Sequence, residues 1–139
     1  MFGRRPDATL VRELSAVRRF MPFISPRRNE SVVYFEHTLD AESALAYLDQ
    51  LNASRPPERS ISFFHLVLHG LMTIFHERPR LNRFVAGGRL WQRDGIWLSF
   101  SAKRAFDDDA PILTVKQRVE PTDSIPELVD TILKKLDAG

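Results

Sequence analysis

The stretch SISFFHLVLHGLMTIFHERPRLN, Ser60 to Asn82, decides how the rest of the chain is read. At a helical step of about 100° per residue, its apolar side chains gather on one side. Ile61, Phe63, Phe64, Val67, Leu68, Leu71, Met72, Ile74 and Phe75 fill roughly half of the circumference. That width predicts a central helix sunk in a core. Ser60 or Ser62 can cap its start, because a hydroxyl accepts from the orphan backbone N–H groups of a first turn. Pro79 stops it, since the residue before a proline is driven out of the helical region.

The surroundings bound the interpretation. The chain has 139 residues, 43% hydrophobic and 27% charged, ordinary for a soluble globular domain. There is no cysteine, so disulfides and thiolate metal sites are excluded. No apolar run reaches membrane-spanning length and no signal-peptide pattern opens the chain, so a cytoplasmic protein without a membrane partner is expected. The net charge is +2, yet residues 1–28 hold seven arginines (4, 5, 12, 18, 19, 27 and 28) against Asp7 and Glu13, a local charge of +5. These arginines surround a helix with an apolar stripe and lack an aromatic platform or a DNA-binding motif. Nucleic acid is therefore not the expected partner.

In order, Asp7 is expected to cap a first helix carrying Leu10, Leu14, Val17 and Met21, ended by Pro22 and Pro26. Residues 1–28 thus form a basic helical arm. Ser31–Leu39 reads as a strand, with Val33, Phe35, His37 and Leu39 on its inward face. Asp40 opens a helix that buries Ala44, Leu45, Leu48 and Leu51. Beyond Pro79, Arg83–Ala86 and Arg89–Gln92 flank Gly87–Gly88, a hairpin signal, with Trp91 and Trp97 as packing residues. Asp94–Gly95 is a second turn. Alternation predicts strands over Ile96–Phe106 and Ile112–Val119, joined by a charged turn at Asp107–Asp109. Ser124 and Glu127 have capping-box spacing ahead of a helix with Ile125, Leu128, Val129, Ile132, Leu133 and Leu136 on one face. The pattern is α/β of the α+β kind, with a mainly antiparallel sheet on the central helix.

In this order the motifs resemble the catalytic domain of the dihydrolipoyl acyltransferase component of 2-oxo acid dehydrogenase complexes, which has the chloramphenicol acetyltransferase-like fold. Leu14 to Met21, with Ser15 and Arg18, is similar to the family's opening Ser-x-x-Arg helix. Val32–Leu39, then Asp40–Leu45 and Leu51–Asn52, resembles its first strand and following helix. The central helix, the link Pro79 to Asn82, the hairpin and Ile96–Ser101 repeat the family's succession. The likeness covers nearly all of this chain but matches little more than the first half of the family's domain, so a partial domain over 1–139 is expected. The resemblance implies acyl transfer between dihydrolipoamide and coenzyme A as substrates, with no covalently bound cofactor. It also implies a homo-oligomer (a trimer) or a partner chain supplying the missing half, and a lipoyl-bearing protein as a further partner.

The family's general base is the histidine of a His-x-x-x-Asp-Gly motif, and no such motif occurs here. His37, His65, His69 and His76 are followed at +4 and +5 by Ala41–Glu42, His69–Gly70, Thr73–Ile74 and Arg80–Leu81. Asp94–Gly95 has Leu90 where the histidine belongs. No catalytic residue is assigned, and the chain is expected to be inactive alone; the alternative is a self-associating scaffold or binding module. Candidate binding residues are Arg18, which matches the family's arginine, His37, whose strand borders the family's substrate channel, and the i, i+4 pair His65 and His69. That pair has metal-ligand spacing, but His76 lies too far along the axis to complete a site and no metal is assigned.

Overall fold

The computed structural model describes residues 5–103, 108, 109 and 112–138. In chain order its elements are β1 (Ala8–Leu10), α1 (Ala16–Ile24), α2 (Glu42–Asn52), α3 (Phe63–Glu77), β2 (Arg83–Ala86), β3 (Arg89–Arg93), β4 (Ile96–Lys103), β5 (Ile112–Val119) and α4 (Ile125–Ala138). This is an α+β protein with small antiparallel sheets. The chain divides into two units. One takes the segments up to Leu39 and Arg78–Asp94; the other takes Asp40–Glu77 and the chain from Gly95 onward.

In the first unit, Gly87 and Gly88 both have positive φ (58° and 68°), the backbone of a tight two-residue hairpin. They join β2 to β3 in the register Phe84↔Trp91. The far edge of β3 is taken by β1, with Ala8 opposite Arg93 and Leu10 opposite Trp91. Trp91 and Ala8 are buried, and the Trp91 indole N–H donates to the Ala86 carbonyl at 3.1 Å. Here the sequence expectation is corrected: Asp7 caps no helix. Its carboxylate accepts from Arg5 at 2.9 and 3.1 Å and from Arg93 at 3.4 Å, and the Arg5 guanidinium holds it below the usual carboxylate range. Arg5 and Arg93 also lie on the Phe84 ring, 5.1 and 4.5 Å from its centroid. The helix starts later, where the Ser15 hydroxyl accepts from the Arg18 N–H, and it runs through Pro22 to Ile24.

The expected strand over Ser31–Leu39 is a second correction. Among the described residues no strand pairs with it, and Val33, Tyr34 and Phe35 are almost fully exposed. Valines and aromatics fit a pleated surface, but a strand needs a neighbour's donors and acceptors, which local sequence does not supply.

In the second unit β4 and β5 pair antiparallel from Ile96↔Val119 to Lys103↔Ile112. Their alternation is as expected: Leu98, Val115 and Val119 are buried, while Trp97 is partly open with the Lys116 ammonium 5.1 Å from its ring. Of the charged turn, Asp108 and Asp109 form a turn and Asp107 lies outside the described residues, as does Phe106. The helix α4 opens with a reciprocal cap, in which the Ser124 N–H donates to Glu127 Oε2 at 2.9 Å and the Glu127 N–H to Ser124 Oγ at 3.5 Å.

That helix is the organising element. Leu128 and Ile132 pack with Leu68, Met72, Leu98 and Val119, and Ile125 and Val129 with Leu48 and Ile61. The expectation of an α3 largely sunk in a core is corrected: within it Leu68 and Met72 are buried, whereas Phe63, Phe64, Val67, Leu71 and Ile74 are each at least 40% exposed. The sheet and α4 meet α3 along the Leu68–Met72 line, an i, i+4 pair. Two strands do not wrap the rest of a stripe so wide. In α2, Leu48 is buried and Leu51 half-buried, but Leu45 is exposed.

A candidate anion-binding site

Ser15 starts α1 so that Arg18, Arg19, Pro22 and Phe23 meet β3. Between them lies a cavity of about 270 Å³, lined by Leu10, Val11, Arg12, Leu14, Arg18, Arg19, Pro22, Phe23, Gly88, Arg89 and Leu90. The hairpin fixes its far wall. Gly88 stands there in ordinary van der Waals reach of the Phe23 ring, and it is its positive φ of 68°, a conformation side chains rarely adopt, that favours glycine. An adjoining cavity of about 270 Å³ shares Arg18, Pro22 and Leu90 and adds Met21, Ser25, Ser31 and Val85.

The lining is mainly apolar, and four arginines, Arg12, Arg18, Arg19 and Arg89, contribute to it. Among the described residues no carboxylate pairs with Arg12, Arg18, Arg19 or Arg89; the ion pairs involve Arg5, Arg55, Arg93 and Arg118 instead. Guanidinium never deprotonates at physiological pH and presents a planar fork to carboxylate or phosphate. A concave, uncompensated cationic lining concentrates anions. The arrangement suits an anion that carries an apolar body.

Of the residues singled out from sequence, Arg18 lines both cavities. His37 is exposed in the same unit, its ring stacked on Phe35 at 6.1 Å. His65 and His69 belong to the other unit, and each has structural work there. The Ser62 N–H and hydroxyl meet His65 Nδ1, both at 3.0 Å, so His65 fills the role that Glu or Gln plays in a capping box. A backbone donor requires Nδ1 to be unprotonated. Burial, reinforced by the Arg55 charge, pushes His65 below the usual imidazole range, which keeps it so. His69 Nε2 lies 3.1 Å from the Asp123 carbonyl, to which it donates. Among the described residues no group of three His, Cys, Asp or Glu side chains is arranged to hold a metal ion.

The cap gives a signed prediction. His65 has a lower pKa folded than unfolded, so its contribution to stability is complete above the unfolded value near 6.5 and is lost as pH falls towards the folded one. His65→Gln keeps an acceptor at this position but does not titrate. Between pH 7.5 and pH 5, melting temperature is expected to fall further for the parent chain than for His65→Gln; parallel curves would remove His65 as the cause.

The sequence reading missed Arg12, Arg19 and Arg89 as partners of Arg18. The signal was the +5 charge of residues 1–28, but Arg89 reaches the cavity through the hairpin, a long-range placement. Compared with protein-family models, with curated proteins and with solved structures, the chain matches none.

Proposed function

We propose that this chain is a chloramphenicol acetyltransferase-like binding module that holds the anionic part of a coenzyme A-type thioester and does not itself catalyse acyl transfer. The observation that carries this reading is the set of four arginines in a mainly apolar lining, without a carboxylate partner among the described residues. The phosphates of coenzyme A suit the arginines, and an acyl or pantetheine segment suits the apolar lining. The lack of chemistry follows from the missing His-x-x-x-Asp-Gly base and from the bonds that occupy His65 and His69. A lipoyl-bearing protein is the natural donor or acceptor of the group held.

A second reading has a specific support. The half-exposed apolar side of α3 (Phe63, Phe64, Val67, Leu71 and Ile74) is what an acyltransferase core would present to a partner polypeptide that brings the base.

Calorimetric titration with coenzyme A tests the first reading. Hydrogen bonds to charged groups contribute about 1.5–3 kcal/mol, so Arg18→Ala or Arg89→Ala is expected to weaken binding by roughly ten- to one-hundred-fold. Binding is expected to weaken with added salt. Unchanged affinity in both variants would remove the site. Turnover of acyl-coenzyme A and dihydrolipoamide by the isolated chain would overturn the non-catalytic part.

A further inference from the structure

The helix α1 is sharply two-sided, and its sides are reversed with respect to an ordinary surface helix. At a step of about 100° per residue, Phe23, Ala16, Phe20, Ile24, Val17 and Met21 follow one another over an unbroken apolar arc of about 160°. Arg18, Pro22 and Arg19 take up the rest of the circumference. A helix on a globular protein ordinarily turns its apolar stripe to the core. Here it is Arg18, Pro22 and Arg19 that line the cavity against β3, and the middle of the arc points away from it. Val17, Phe20 and Ile24, at that middle, line neither cavity and are 71%, 60% and 58% exposed. Phe23 and Met21 stand at the two edges of the arc, and each touches one cavity while staying largely open. A contiguous exposed apolar patch of this kind marks a binding surface.

We propose that α1 docks the first unit on an anionic lipid bilayer, with its apolar arc among the acyl chains and its arginines at the headgroups. Charge selects this occupant. Residues 12–28 hold five exposed arginines, 12, 18, 19, 27 and 28, against Glu13 alone. Among the described residues no carboxylate pairs with any of the five. A second copy would bring the same positive excess to the contact, which like-charge repulsion disfavours. The arginines precede, flank and follow the apolar arc, so they call for negative charge spread around an apolar interior. One acidic side chain does not supply that, whereas a layer of anionic headgroups over hydrocarbon does. Arg18 and Arg19 stand beside the arc, and arginine stems run along apolar surface to set their charged ends in the polar layer. No helix among the described residues is long and apolar enough to cross a membrane, but a helix lying in the interface needs no such length. The contact is separate from the coenzyme A reading, because Val17, Phe20, Ile24, Arg27 and Arg28 line neither cavity of that site.

Flotation with phosphatidylcholine vesicles containing about 30% phosphatidylserine measures the partition. The parent chain is expected to float with them, and to bind vesicles of phosphatidylcholine alone at least about tenfold more weakly. Added salt is expected to weaken the phosphatidylserine-dependent part. Phe20→Ser combined with Ile24→Ser changes two exposed positions, and is expected to keep the circular dichroism of the parent while losing roughly tenfold or more in partition. Arg27→Gln combined with Arg28→Gln is expected to lose about fivefold for each charge removed. The chain contains no cysteine, so a fluorophore attached to Phe20→Cys labels the arc alone, and spin labels on the acyl chains are expected to quench it. A parent chain that does not float, equal binding to the two kinds of vesicle, or adsorption without quenching overturns the proposal. Unchanged partition of the Phe20→Ser, Ile24→Ser chain overturns it as well. Coenzyme A titration of that same chain is expected to match the parent, which keeps failure at the bilayer distinct from failure of the anion site.

Discussion

Asn52→Ala is expected to lower the unfolding free energy by about 2–4 kcal/mol, although Asn52 lies at a helix end beside a polar loop. Its side chain is bonded at both atoms to one residue: Nδ2 donates to the Ile61 carbonyl at 2.9 Å, and Oδ1 accepts from the Ile61 N–H at 2.7 Å. The amide thereby imitates a strand neighbour and closes the loop between α2 and α3. Ile61 is 2% exposed and packs with Leu48, Ile125 and Val129, so neither freed backbone group reaches water easily. Each group left without its partner costs about 1–3 kcal/mol. Urea denaturation measures the sum. Asn52→Asp keeps the acceptor and loses the donor, and is expected to fall between parent and alanine. A loss below about 0.5 kcal/mol for alanine, the size of an ordinary surface change, would show that water replaces the amide.

Ile132→Ala is expected to be at least as damaging, lowering stability by about 2–5 kcal/mol through lost transfer energy and the cavity left behind. Ile132 is 1% exposed on the face of α4 that meets Leu68, Met72, Leu98 and Val119. Those residues come from α3, β4 and β5, whose backbones are fixed by their own hydrogen bonds, so collapse around the void is limited. Leu45→Ala makes the contrast, removing a side chain of the same size at an exposed position of α2 for well under half that loss. Equal effects at the two positions would mean that α4 is not the centre of this unit.

How much of this was legible in the sequence depended on the range of the signal. The capping box at Ser124 and Glu127, the paired glycines at 87 and 88 and the alternation of β4 and β5 are complete within a few residues, and each was read correctly. Ala8–Leu10 was not, because three residues carry no periodicity and their strand exists through pairing with Leu90's own strand, eighty residues away along the chain in rough terms. Asp7 shows the same limit: as a cap it is locally sound, but Arg5 and Arg93 make the stronger claim on its carboxylate. His65 was singled out with His69 as a binding candidate on its i, i+4 spacing, while its spacing from Ser62, which the structure uses for the cap, was not weighed. The breadth of the α3 stripe correctly marked a helix but said nothing of which elements would cover it.

The dependence of two core clusters on α4 has a consequence for biosynthesis. Every other described element precedes α4 in the chain, so Leu48, Ile61, Leu68 and Met72 leave the ribosome before the side chains that shield them have been made. Until residues 125–132 emerge, the nascent polypeptide carries bare aliphatic groups on α2 and α3, a state in which chains become prone to aggregation. Consolidation of this unit thus waits for residues 125–132, and it is timed by the arrival of that helix rather than by the earlier ones.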